Sequence, residues 1–148
     1  MLKKFLAGLV IVVLSGCASS GRMRDLPTVA EGAASSQLVL IRKSSLVGAT
    51  NSYYVALDGK DIFSIRSGEY TKFRISMGEH FVAVKCFGGW SPTWKAESVR
   101  FVAAQDQVNY FEISPNMRCA EINPVAPEVA AKLMTESTFI SPERVSSK

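Results

Sequence analysis

The stretch that decides the fold runs from Tyr53 to Cys86 and reads YYVALDGKDIFSIRSGEYTKFRISMGEHFVAVKC. Short runs rich in β-branched and aromatic residues alternate in it with turn residues, which is typical of a sheet built from hairpins. The dipeptide Asp58-Gly59 predicts a tight hairpin, because both central residues of a type I′ turn need a positive φ. Residues 71–75, TKFRI, alternate between side chains that suit a core and basic ones. This run is therefore expected to bury one face and expose the other.

The same pattern continues on both sides of this stretch, with turn residues about every 8–14 positions. We expect strands at Leu38–Arg42, Tyr53–Leu57, Asp61–Ile65, Tyr70–Ile75, Phe81–Cys86, Ala96–Val102, Val108–Ile113 and Arg118–Ile122. In the run beginning at Phe81, the residues expected to face inward are Val82, Val84 and Cys86. The sequence predicts a mostly β fold over residues 37–140, a single β-sandwich of about 7–8 antiparallel strands.

A short helix is expected to follow the strands and to pack on the sandwich. Pro127 suits the first turn of a helix, and the helix is expected to continue to Glu136. At helical spacing, one face holds the apolar residues Val129, Ala130, Leu133 and Met134. Residues 141–148 form a polar tail.

The amino-acid composition argues against several classes of protein. The chain has 148 residues, of which 47% are hydrophobic and 20% charged, which fits one compact domain and excludes disorder along most of its length. The formal net charge of +4 falls to +2 without Lys3 and Lys4, so nucleic acid is not an expected partner. A single histidine excludes most metal and triad chemistry.

The N-terminus predicts a signal peptide over residues 1–16. Lys3 and Lys4 precede an apolar run from Phe5 to Leu14, which is too short to cross a bilayer as a helix of about 20 residues. The run ends in residues 14–17, LSGC, which resemble the lipobox of bacterial lipoproteins. This resemblance implies that Cys17 receives a diacylglyceryl group, that cleavage precedes it and that its new amine is acylated. The alternative is an ordinary secretory signal with Cys17 incidental.

The expected location is the bacterial cell envelope, with the chain anchored to a membrane through its lipid. Ala18, in place of an aspartate, resembles lipoproteins that are sorted to the outer membrane and face the periplasm. Residues 17–36 are rich in Ala, Ser and Gly, a composition typical of a flexible tether. The tether is interpreted as a spacer.

The segments 55–60 (VALDGK), 68–70 (GEY) and 77–84 (MGEHFVAV) resemble the PEGA-type sandwich. They are more similar still to the domain-of-unknown-function 2846 group of short bacterial lipoproteins. The resemblance covers about Leu38 to Phe139 and implies a β-sandwich on a lipid tether, with no activity assigned to the fold. It implies that His80 caps a hairpin and bonds a nearby backbone group; a ligand or catalytic role is the alternative.

The remaining cysteines, Cys86 and Cys119, form an even pair in an exported protein. We expect them to form a disulfide between the fifth and eighth strands, which would stabilise the fold by roughly 3–4 kcal/mol. Two buried free thiols are the alternative. No metal site is expected, because the pair lacks ligand spacing and only one histidine is present.

Both tryptophans, Trp90 and Trp94, lie in the Gly/Pro-containing segment 87–94 between two predicted strands. Such rings either fold back onto the end of a sandwich or stack on sugars and anchor a partner protein. No catalytic or cofactor motif is present. The sequence favours a non-catalytic binding or structural accessory in the envelope. The alternatives are a saccharide or cell-wall-binding module that uses Trp90 and Trp94, and an uncharacterised hydrolase.

Overall fold

The computed structural model describes residues 25–86, 95–117 and 119–141. The strands are β1 (Ser35–Arg42), β2 (Tyr53–Leu57), β3 (Lys60–Ile65), β4 (Glu69–Ser76), β5 (Gly78–Cys86), β6 (Lys95–Ala103), β7 (Val108–Pro115), β8 (Ala120–Pro124) and β9 (Thr138–Phe139), with one helix, α1 (Pro127–Thr135). The predicted signal peptide, Cys17 and the tail from residue 142 onward lie outside the described residues.

Two sheets face each other, which confirms the predicted β-sandwich. One has the strand order β8-β7-β1-β4-β9 and the other has the order β3-β2-β5-β6. The core between them is formed by inward-facing side chains of both sheets, among them Leu38, Leu40, Val55, Phe63, Val82 and Ile113.

The strands are not all antiparallel, contrary to the prediction. β1 pairs with β7 in parallel, and β4 pairs with β9 in parallel. β1 lies between β7 and β4 in the five-stranded sheet, and its pairing with β4 is antiparallel. The short strand β9 was not predicted, since two residues carry no periodicity.

The decisive stretch folds as its pattern predicts. Asp58 and Gly59 have φ values of 51° and 80°, so the hairpin between β2 and β3 has the expected positive-φ turn. In β4 buried and exposed residues alternate, with Lys72 and Arg74 exposed. In β5 Val82 and Val84 are fully buried, as expected.

Helix α1 packs on the outer face of the five-stranded sheet, where a second, smaller core lies. Its buried members are Val39, Ile41, Ala130 and Leu133, with Met134 packed against them. β1 is therefore buried on both faces. The prediction that Val129 shares the buried helix face is wrong: its side chain is 47% exposed, because the helix contacts the sheet along a narrower stripe.

Residues 25–34, directly before β1, lie against the domain without forming a helix or strand. Leu26, within the predicted tether, packs against the main core. Asp25 approaches Lys60 at 3.8 Å. Contacts with the sandwich thus begin before Gln37, where the sequence placed the domain boundary.

Candidate functional site

The bridge between Cys86 and Cys119 is present, as predicted. The two Cα atoms are 5.7 Å apart, and the cysteines are separated by 33 positions. Cys86 ends β5, whereas Cys119 precedes β8, which begins two residues later than Arg118, where the sequence placed it. Asn116 explains the shift, because its side chain accepts a hydrogen bond from the Cys119 N–H at 2.7 Å and closes a turn there.

His80 lies inside β5 with 6% of its surface exposed and joins three segments of the chain. Its Nδ1 is 2.7 Å from Asp58 Oδ2, in the β2–β3 turn, and its Nε2 is 2.9 Å from the carbonyl oxygen of Ser76. Asp58 Oδ1 also accepts a hydrogen bond from the Phe81 N–H. His80 thus contacts a backbone group near a hairpin, which agrees with the role expected from the motif resemblance.

The side chains of Ser76, His80 and Asp58 lie next to one another in space, in the sequence serine–histidine–aspartate of a catalytic triad. The Ser76 Oγ is 3.5 Å from His80 Nε2. In a triad this nitrogen takes the serine proton, so its lone pair must be free. Here Nε2 faces the carbonyl oxygen of Ser76 at 2.9 Å, and a carbonyl only accepts hydrogen bonds. The partner nearest to Nε2 is therefore a backbone carbonyl oxygen and not the Ser76 hydroxyl, which fits a structural link between chain segments.

Arg42 is a buried cation that sequence reasoning did not single out. Its guanidinium donates to the carbonyl oxygens of Asn51, Ile65 and Gly48 at 2.6, 2.9 and 2.7 Å. It lies 3.8 Å from the centroid of the Tyr53 ring. Burial lowers the pKa of Arg42, whereas the nearby Tyr53 and Glu69 act in the opposite direction. The group holds the 43–52 loop to the sandwich.

A groove of about 720 Å³ opens along β4, within the size range of small binding sites. It is lined by β4 residues 72–74, by Gln37 in β1, by residues 26–29, and by Phe139 and Ser141. Lys72 and Arg74 are the only charged side chains that line the groove among the described residues.

Hydrogen bonds hold one of the two cations of the groove, Arg74, in place. Arg74 donates to the Ser35 hydroxyl and to the Ala33 carbonyl oxygen, at distances of 2.9–3.1 Å. Within the described part of the chain, no ion pair links Lys72 or Arg74 to a carboxylate. As far as the chain is described, the groove therefore has two cations without a paired carboxylate.

The part of β4 that lines this groove follows the part that pairs with β9. Thr138 N–H donates to the Gly68 carbonyl oxygen and Ile140 N–H to that of Tyr70, each at 2.8 Å. Backbone groups of a strand face the same edge at every second residue, so Lys72 and Arg74 continue this edge. In residues 25–141, as far as they are described, the backbone bonds from β9 and Ile140 end at Tyr70.

The structure brings together few of the residues that the sequence singled out. Cys17, Trp90 and Trp94 lie outside the described residues. The residues on either side of the tryptophan segment, Cys86 in β5 and Lys95 in β6, pair with each other. The groove was missed, although the basic residues of the TKFRI run were its one sequence signal. The rest of the groove comes from chain segments far apart in sequence.

Among the described residues, no helix is both long and apolar enough to cross a membrane. Nor does that part of the chain contain a group of three or more His, Cys, Asp or Glu side chains placed to hold a metal ion.

Comparison with known proteins adds no relative from which a role could be transferred. No family model, no curated protein and no solved structure matches this chain. The likeness to PEGA-type and domain-of-unknown-function 2846 lipoproteins therefore remains a resemblance of motifs.

Proposed function

We propose that this protein is a lipid-anchored, non-catalytic binding or structural accessory of the bacterial envelope. The observation that carries the proposal is the LSGC box at residues 14–17, directly after a short apolar run. Lipidation at Cys17 would add two or three acyl chains, and each buried CH₂ contributes about 0.8 kcal/mol to membrane binding. Ala18 favours the outer membrane, with the domain facing the periplasm.

Two further observations support this proposal. The bridge between Cys86 and Cys119 suits an oxidising compartment such as the periplasm. The chain's one histidine has its Nε2 2.9 Å from a backbone carbonyl oxygen, which supports a structural role for this side chain. A binding role is supported by the open groove along β4, with its two cations.

The anchor is tested by substituting Cys17→Ser and comparing cell fractions and intact masses with those of the natural chain. We expect the natural chain in the membrane fraction, without residues 1–16 and with the added mass of acyl chains. The Cys17→Ser chain should lose both the acyl mass and the membrane association. Ser19→Ala is the matched control and should behave like the natural chain. A Cys17→Ser chain that is still processed before residue 17 and bound to the membrane would refute the proposal.

A further inference from the structure

We propose that the groove along β4 binds an extended segment of a partner protein, which adds to the sheet as a further strand and has acidic side chains at alternate positions. This inference rests on the proposed function as a binding module and names its site and its partner's chemistry. Strand addition of this kind derives affinity from backbone hydrogen bonds and specificity from alternate side chains.

One edge of β4 is paired over only part of its length among the described residues. β9 covers only the first two residues of β4, pairing with Glu69 and Tyr70. Further along β4, residues 72–74 line the groove. An edge strand with unused backbone groups is a template for another extended chain.

The side chains on the two faces of this part of β4 differ in chemistry. Lys72 and Arg74 are exposed, whereas Phe73 points into the core, and all three line the groove. Neighbouring strands place their side chains face to face, so a bound segment would meet cations at every second position. At the intervening positions it would meet Phe73 and Leu26. The segment that fits therefore alternates acidic and apolar residues.

Two other occupants, a second copy of this chain and the chain's own continuation, fit this edge less well. A second copy bound through its own β4 edge would bring Lys72 and Arg74 toward the same cations, and like charges across a strand pair are destabilising. The chain's own continuation meets Pro142 two residues after Ile140. Proline has no N–H to donate to the Lys72 carbonyl oxygen, which is next in the series of Gly68 and Tyr70.

The test titrates the full-length chain, purified in detergent, into a fluorescein-labelled hexapeptide of alternating glutamate and valine, and follows fluorescence anisotropy. A hexapeptide with lysine in place of glutamate serves as the charge-inverted probe. We expect saturable binding of the acidic peptide and binding at least about tenfold weaker for the basic one. Raising the salt concentration should weaken the binding of the acidic peptide.

Two variants separate the backbone from the charge. Lys72→Pro removes an N–H at the open edge and should weaken binding at least about tenfold, since proline is tolerated on strand edges but cannot donate. Lys72→Glu keeps the N–H and inverts the charge; it should weaken binding of the acidic peptide by about threefold to tenfold. Lys132→Glu makes the same charge change on α1, outside the groove, and should leave binding within about twofold of the natural chain.

The proposal is overturned if the acidic peptide shows no saturable binding up to about 1 mM, which corresponds to a binding free energy of about −4.1 kcal/mol. It is also overturned if either Lys72 variant binds like the natural chain. Should Lys72→Pro fail to fold, as judged by circular dichroism, Lys72→Glu and the basic peptide still decide the matter. Because the purified chain is tested, failure here leaves the result of the Cys17→Ser fractionation unaffected, and the reverse also holds.

Discussion

Arg42 is the most deeply buried charged side chain among the described residues. It follows four buried apolar residues at the end of β1, and 1% of its own surface is exposed. Burying a cation is costly unless hydrogen bonds and nearby charges compensate for the lost hydration. Three carbonyl oxygens, the face of Tyr53 and the opposing strand position of Glu69 supply this compensation. The side chain therefore fixes a loop that has no strand or helix of its own.

Replacing Arg42 should destabilise the protein strongly. Arg42→Met leaves buried carbonyl oxygens without donors, so we expect a loss of about 3 kcal/mol in the free energy of unfolding. Arg42→Lys keeps the charge but cannot span three acceptors with a planar fork, and should lose about 2 kcal/mol. Lys43→Met, at an exposed neighbouring position, is the control and should change stability by less than about 0.5 kcal/mol. Urea unfolding measures all three, and equal midpoints for Arg42→Met and Lys43→Met would contradict this account.

Among the elements, β1 determines how the layers are arranged. Leu38 and Leu40 face the core between the sheets, whereas Val39 and Ile41 face α1. A strand that is apolar on both faces needs a cover on its outer side. α1 provides this cover over the half of the sheet nearest Ile41, and the uncovered half contains Gln37, which lines the groove. No residue of α1 is among those that line the groove.

The contact of α1 with the sheet can be measured with two substitutions on one helix. Leu133→Ala removes a buried side chain from the smaller core and should cost about 2–3 kcal/mol of stability. Val129→Ala, at the exposed position that sequence periodicity had placed on the same face, should cost less than about 0.5 kcal/mol. Thermal unfolding of both variants provides the comparison. Similar losses at the two positions would show that the helix buries the wider face that its sequence predicted.

Sequence patterns identified the elements better than the sites, for a physical reason. Alternation along β4 and the Asp58-Gly59 turn are local features, so the sequence alone predicts them. The partners of His80 lie 4 and 22 positions away, and the Arg42 acceptors are spread over the β1–β2 loop and β3. Such contacts depend on which strands become neighbours, and composition and spacing do not determine that. The cysteine pair is the exception, since counting sufficed to match Cys86 with Cys119.

For the molecule as a whole, the two sheets are fastened at both ends of β5. Near its start, His80 links the β2–β3 turn of the four-stranded sheet to Ser76 in the other sheet. At its end, Cys86 is bonded to Cys119, which precedes β8 of the five-stranded sheet. One fastening is a set of hydrogen bonds and the other is covalent. Only the covalent one restricts the unfolded chain.

The bridge should therefore contribute stability that a reducing agent removes. In the chain-entropy model, cross-linking residues 33 positions apart stabilises by roughly 3–4 kcal/mol, so the double variant Cys86→Ala with Cys119→Ala should lose about that much. Urea unfolding with and without dithiothreitol measures the effect: reductant should destabilise the natural chain and leave the double variant unchanged. Cys17→Ser is the matched control, because it removes the remaining cysteine and should keep the full sensitivity to reductant. A natural chain whose unfolding midpoint ignores dithiothreitol would mean that the packed core, rather than the bridge, holds the sheets together at this end.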